Sequence, residues 1–176
     1  MFELLVPKLR VNTVFELDLE DLYAKGYRGI ITDLDNTLVG AKDPLAHPEL
    51  ITWFEKVKQI GFKLVIVSNN HLTRVSEFAT PLDILFVHEA RKPSNKPFRK
   101  AMQMMELTEK ETIVVGDQML TDVYGGNRLG LLTVLVLPIS IKDEGWWTSR
   151  FNRRVEKIAL TRLKKKGLWL EEEQKK

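Results

Sequence analysis

Gly29-Ile30-Ile31-Thr32-Asp33-Leu34-Asp35-Asn36-Thr37-Leu38-Val39 is an apolar run that breaks into two carboxylates spaced two residues apart. Side chains two apart on a strand face the same way, so a bend beginning at Asp35 brings both carboxylates to one site. That site lies at the carboxyl end of the strand, where open α/β sheets bind ligands. Two adjacent carboxylates repel, so they either share a proton or hold a hard metal ion through oxygen. The metal is the reading adopted.

Three further segments bear on that choice. Phe62-Lys63-Leu64-Val65-Ile66-Val67-Ser68-Asn69-Asn70 is a second apolar run, ending in a hydroxyl and two amides suited to a phosphoryl oxygen. Arg91-Lys92-Pro93-Ser94 sets a cation before a proline and a helix start. Thr112-Ile113-Val114-Val115-Gly116-Asp117-Gln118-Met119-Leu120-Thr121-Asp122 is a third run, closing on Gly-Asp with a second acid five residues later.

With these four segments the chain resembles the haloacid dehalogenase (HAD) superfamily of phosphohydrolases. Its motifs are DxDxT, a strand-end Ser or Thr, a Lys, and an acidic GD-x(3-4)-D. Here they fall at Asp33, Asp35 and Thr37, at Ser68, at Lys92, and at Asp117 and Asp122. A lone DxD is weak, whereas four motifs in order at strand ends are specific. The stretch LLVPKLRVNTVFELDLEDLYAKGYRGIITDLDNTL, the SNN and ARKP runs, and RFNRR near the end look like the YqeG-type subfamily IIIA. That subfamily is in turn similar to mitochondrial and plastid phosphatidylglycerophosphate phosphatases.

The rest of the pattern agrees with an α/β fold. β-rich apolar runs occur at about 28–34, 62–68, 84–87, 112–116 and 132–137, and helical periodicity fills about 18–25, 48–60, 71–80, 95–106 and 119–129. Gly26 and Gly61 suit helix C-termini, and Ser94 and Thr108 suit N-caps. Such alternation gives a mostly parallel sheet, here five-stranded, with helices on both faces. The resemblance supplies the Rossmann-like HAD topology, with the motif strands central, in a single domain spanning 1–176. In this superfamily a cap domain enters after the first motif or between the second and third. Each gap here holds about one helix, so no cap is expected, and large phosphorylated substrates suit the open site.

The resemblance also assigns roles. Asp33 would be the nucleophile and Asp35 the general acid and base, with Ser68 and Lys92 completing the catalytic set. Phosphate would be held by Asp33, Leu34, Asp35, Thr37, Ser68, Asn69 and Lys92. Mg²⁺ would be bound through Asp33, Asp35 by its main-chain carbonyl, and Asp117, with Asp122 orienting metal-bound water. Each residue has a plainer reading: a strand-end Asp is often a turn former. Lys96 also precedes a proline and competes with Lys92, but the KP-x(4)-F spacing to Phe98 favours Lys92. His47, His71 and His88 form no spaced ligand pair, and Gly125-Gly126 reads as close helix packing rather than a phosphate cradle.

The 176 residues contain no cysteine, which excludes disulfides, thiolate zinc sites and Cys nucleophiles. No apolar run approaches the roughly 20 residues that span a bilayer, and the first residues do not read as a signal peptide. The expected compartment is the cytoplasm, with peripheral membrane contact. That contact is suggested by residues 150–166, where eight cations face Glu156 alone in a chain of net charge +3. Phe151, Val155, Ile158 and Leu163 recur there at near-helical spacing, flanked by Trp146-Trp147 and Trp169, giving a basic amphipathic segment over about 146–170. An anionic membrane, packing of the stripe on the domain, and nucleic acid are competing uses for it. The overall expectation is a Mg²⁺-dependent phosphomonoesterase acting on a lipid phosphate, with a soluble or macromolecular phosphate as the alternative and a non-catalytic binding module as the third class.

Overall fold

The computed structural model describes residues 2–140, 160–162, 164, 165 and 167. Most of the expected segment at about 146–170 therefore lies outside the described residues. The strands are β1 (Leu9–Arg10), β2 (Gly29–Thr32), β3 (Lys63–Val67), β4 (Leu85–Val87), β5 (Thr112–Gly116) and β6 (Leu132–Leu135). They form one parallel sheet in the order β1-β6-β5-β2-β3-β4. The expected five-stranded sheet thus gains a sixth strand at its edge. β1 is two residues long, too short for any periodicity to show, and is held by Lys8 N–H to Thr133 O (2.9 Å) and Val11 N–H to Leu135 O (3.1 Å).

Both faces of the sheet are covered, because alternate residues of each central strand point to opposite layers. Ile30, Ile66, Ile113, Val115 and Val134 pack under α1 (Leu19–Ala24), α2 (Pro48–Ile60) and α3 (Leu72–Ala79). Ile31, Val65, Val87 and Val114 pack against α4 (Asn95–Met105) on the other side. Each fully buried Ile or Val contributes roughly 1.5–3 kcal/mol, which is why these strands read as continuous apolar runs.

Helix boundaries follow local chemistry. Pro48 occupies the first turn of α2, and His47 Nδ1 accepts from Leu50 N–H at 3.3 Å. Gly61 ends that helix at φ 107°, and a Cβ there would lie 3.0 Å from Tyr23 Oη, so both conformation and space call for glycine. Ser94 caps α4 as expected, whereas Thr108 caps only the short 3₁₀ turn Glu109–Glu111. The helix expected over about 119–129 begins instead as a π turn, Met119–Val123, and continues as the short α5 (Tyr124–Asn127). Gly126 lets α5 lie against the sheet, since a Cβ would sit 2.6 Å from Thr133 Cγ2. The Gly125-Gly126 pair is close packing, as the sequence suggested.

Candidate active site

Strand register assembles the site. Thr32 of β2 pairs with Ile66 of β3 on one side and Val115 of β5 on the other. Asp33, Ser68 and Asp117 therefore leave three neighbouring central strands at nearly the same level, and Asp33 N–H still bonds Val115 O at 3.0 Å. Among the described residues the N–H groups of Leu34 and Asp35 find no backbone acceptor. Both lie where the chain turns, and that turn is closed by Asn36 at φ 66° and by a bridge between Asp35 and Val39.

Lys92 arrives from the loop after β4, which bends through two left-handed residues, Glu89 and Arg91. Its ammonium lies 2.8 Å from Asp33 Oδ1 and 2.7 Å from Asp122 Oδ1, and all three side chains are almost wholly buried. The competing Lys96 is exposed on α4. Asn69, expected to contact phosphate, uses its side chain otherwise: Oδ1 accepts from Lys92 N–H at 2.7 Å and Nδ2 donates to Lys92 O at 3.4 Å. It fixes the backbone that delivers the lysine. Thr37, also expected at the phosphate, donates its hydroxyl to Asp117 Oδ1 at 3.2 Å. Ser68 is buried, and its Oγ accepts from Asn70 N–H at 3.1 Å.

Asp122 is placed by the π turn, a feature that recurs at functional sites. Gln118 N–H reaches back to Asp122 Oδ2 at 3.2 Å. Gly116 makes the room, because a Cβ at that position would be 2.3 Å from the Asp122 carboxyl carbon. Asp35 faces a different set: Asn70 Nδ2 donates to its Oδ2 at 2.9 Å, and Arg74 Nε and Nη2 donate to its Oδ1 at 3.1 and 2.9 Å. Sequence reasoning missed Arg74 altogether. It lies in the first turn of α3, and nothing in the sequence around it marks it out.

The electrostatics point to a cation. Burial pushes the Asp33 carboxyl up to about 6; Lys92 opposes the rise and Asp122 adds to it. Asp117 is pushed well above the usual carboxylate range by burial, then by Asp33 and Asp122. Burial alone would lower the Lys92 ammonium, but Asp122 and Asp33 more than offset it and raise its pKa above the usual lysine range. Asp33, Asp117 and Asp122 each place a carboxylate oxygen within 4.8 Å of the others. Three acids against one ammonium leave surplus buried negative charge, and every donor is oxygen, so the cluster suits a hard divalent ion such as Mg²⁺. No histidine belongs to it: His47 caps α2, His71 bonds Asn70 and His88 bonds Glu89.

Comparison with known proteins agrees with this geometry. Residues 89–138, which carry Lys92, Asp117 and Asp122, match the family model described as "HAD-hyrolase-like". The chain is 48% identical over 162 residues to "Probable phosphatase YqeG" of Bacillus subtilis (strain 168), covering 92% of this chain and 93% of that one. The chain belongs to the YqeG-type family of HAD phosphatases. A second relative of the family, "Phosphatidylglycerophosphate phosphatase 1, chloroplastic/mitochondrial" of Arabidopsis thaliana, is 30% identical over 94% of this chain, which spans 50% of that protein's length. Among solved structures, the fold is shared with an uncharacterized protein from Corynebacterium glutamicum (TM-score 0.53, 22% identity, 83% of this chain and 99% of that one). It is also shared with the p-nitrophenyl phosphatase from Archaeoglobus fulgidus (TM-score 0.50, 16% identity, 74% and 92%).

Proposed function

We propose that this YqeG-type protein is a Mg²⁺-dependent phosphomonoesterase that works through an aspartyl-phosphate at Asp33. The observation that carries the reading is the buried Asp33–Lys92–Asp122 chain beside Asp117. A nucleophilic carboxylate splits one hard hydrolysis into two displacements. In the first, an Asp33 oxygen bonds to phosphorus as the ester P–O bond breaks, and Asp35 gives its proton to the leaving oxygen. In the second, Asp35 takes a proton from water as that water bonds to phosphorus and the Asp33–phosphorus bond breaks, releasing phosphate. Lys92, Ser68 and the amides of Leu34 and Asp35 hold the phosphoryl oxygens in both steps. Asn69 and Thr37 keep Lys92 and Asp117 in place. Asp33 and Asp117 would hold Mg²⁺ with the Asp35 carbonyl, and Asp122, already tied to Lys92 and Gln118 N–H, would act from behind them. Mg²⁺ there supplies charge neutralisation at the transferring phosphoryl group.

The proposed substrate is a lipid phosphate, with phosphatidylglycerophosphate as the named member. Support comes from the plant relative's name and from the open site. Between β2 and β3 the only α-helix is α2, and between β3 and Lys92 the only one is α3. Leu45, Leu137 and Ile139 are exposed on the loops that follow β2 and β6, and Leu72 is exposed in the first turn of α3 after β3; large exposed apolar side chains of this kind suit a lipid surface. Leu160 packs near Leu5 and Met119, and Arg162, Lys164 and Lys165 just beyond it are exposed; anionic lipid is a matching surface for such charge. Among the described residues no helix is long and apolar enough to cross a membrane. The reading is of an enzyme that meets its substrate at the bilayer surface.

A phosphate-release assay with Mg²⁺ tests this, setting phosphatidylglycerophosphate in mixed micelles beside soluble phosphomonoesters. Clear preference for the lipid is expected. Preference for a soluble ester would overturn the lipid assignment and leave the chemistry standing, and inactivity on every ester would favour a binding module.

A further inference from the structure

Asp35 is fastened more tightly than proton transfer alone requires. Both of its carboxylate oxygens are occupied: Oδ1 by Arg74 Nε and Nη2, Oδ2 by Asn70 Nδ2. The Arg74 side chain is 11% exposed and that of Asp35 18%, so the pair sits largely out of water, where directional hydrogen bonds to a charged group are strong. Arg74 Nη2 also reaches Gly40 O at 3.4 Å. The guanidinium therefore grips the tight turn at both ends, at Asp35 and just past its bridge partner Val39. Asn70 is itself oriented, since its Oδ1 accepts from His71 N–H at 2.8 Å and its own N–H bonds Ser68 Oγ.

We infer that Arg74, with Asn70, is the positioning residue for the acid–base carboxylate of Asp35. The inference rests on the phosphomonoesterase reading above. α3 is part of the core, with Val75, Phe78 and Ala79 buried, so an arginine rooted there holds Asp35 against the rigid sheet layer rather than against a mobile lid. Two donated bonds to Oδ1 and one to Oδ2 fix the plane in which the carboxyl group lies. A guanidinium suits this task because its planar fork makes two bonds in fixed geometry, which an ammonium cannot.

The test uses leaving-group chemistry, to which a purely structural role is indifferent. An alkoxide must be protonated as it departs, whereas p-nitrophenolate leaves without help, so only the alkyl ester depends on a well-aimed acid. Arg74→Met and Arg74→Lys are compared with wild type on an alkyl phosphate and on p-nitrophenyl phosphate. The expected result for Arg74→Met is a kcat loss of about 10²-fold on the alkyl ester, a loss several times smaller on the aryl ester, and an almost unchanged KM. Arg74→Lys should recover only part of it. Because Arg74 acts through Asp35, Arg74→Met added to Asp35→Asn should cost little more than Asp35→Asn alone. Asn70→Ala serves as a milder second variant should Arg74→Met fold poorly, with the same substrate pattern expected. Equal losses on both esters, a rise in KM alone, or additive losses in the double variant would overturn the assignment. A wild-type protein inactive on both esters would instead overturn the phosphomonoesterase reading, and the inference with it.

Discussion

Asp33 and Lys92, fifty-nine residues apart, are joined by a 2.8 Å ion pair whose side chains are 9% and 3% exposed. Charges so placed persist only when each is compensated, and here one ammonium is shared by Asp33 and Asp122 while Asp117 beside them adds further negative charge. The proposed nucleophile, phosphate-holding cation and metal ligands are thus one electrostatic unit, and disturbing any member should be felt at the others.

Removing the cation is the simplest disturbance. Lys92→Met should lower kcat by about 10²–10³-fold, the usual cost of losing one fixed donor to transition-state charge. It should also destabilise the metal-free protein, since stripping one partner from a buried pair typically costs about 3–5 kcal/mol. Lys96→Met, on the exposed face of α4, should change neither quantity. Steady-state kinetics and thermal melts of the two variants check this.

The raised Asp33 pKa gives a signed pH dependence. A carboxyl that titrates at about 6 in the folded chain and at about 4 when unfolded holds its proton more tightly when folded. Its stabilising contribution is therefore complete below about pH 4 and is lost as pH rises to about 6. Thermal melts in chelator should show this decline in wild type and a flatter profile in Asp33→Asn. Mg²⁺ competes with that proton, so the rise in Tm on adding Mg²⁺ should grow over the same window. A Mg²⁺ effect independent of pH would contradict the assignment.

Gly116→Ala tests the packing that places Asp122. The new methyl would collide with the Asp122 carboxyl carbon, at 2.3 Å, and the carboxylate would have to swing away from Lys92. A cost of about 1–3 kcal/mol is expected from overpacking, with a loss of phosphatase activity larger than that destabilisation alone would cause. Full activity in a folded Gly116→Ala protein would show that Asp122 need not sit where it does.

Much of this site was legible in the sequence because three of its four motifs stand where an apolar run stops. Asp33, Ser68 and Asp117 end β2, β3 and β5, and parallel register alone brings them together. Lys92 was chosen over Lys96 by spacing, and burial separates the two in the same sense. What could not be read depends on side chains that meet across loops. Asn69 and Thr37 have the chemistry of phosphate ligands, and only tertiary contact reveals that they brace Lys92 and Asp117. Arg74 is one helix residue among others until Asp35 is seen against it. β1 escaped notice because two residues carry no period, and the π turn because one extra residue in a turn leaves the apolar pattern almost unchanged.

Asp33→Asn tests the central claim most directly, because it removes the nucleophile's charge at nearly constant size. With saturating Mg²⁺ and any phosphomonoester that the wild type hydrolyses, the account predicts a loss on the order of 10⁴-fold or more in kcat, with the fold retained in a thermal melt. Retention of more than about a tenth of wild-type activity would contradict it, because an essential nucleophile does not leave that much behind.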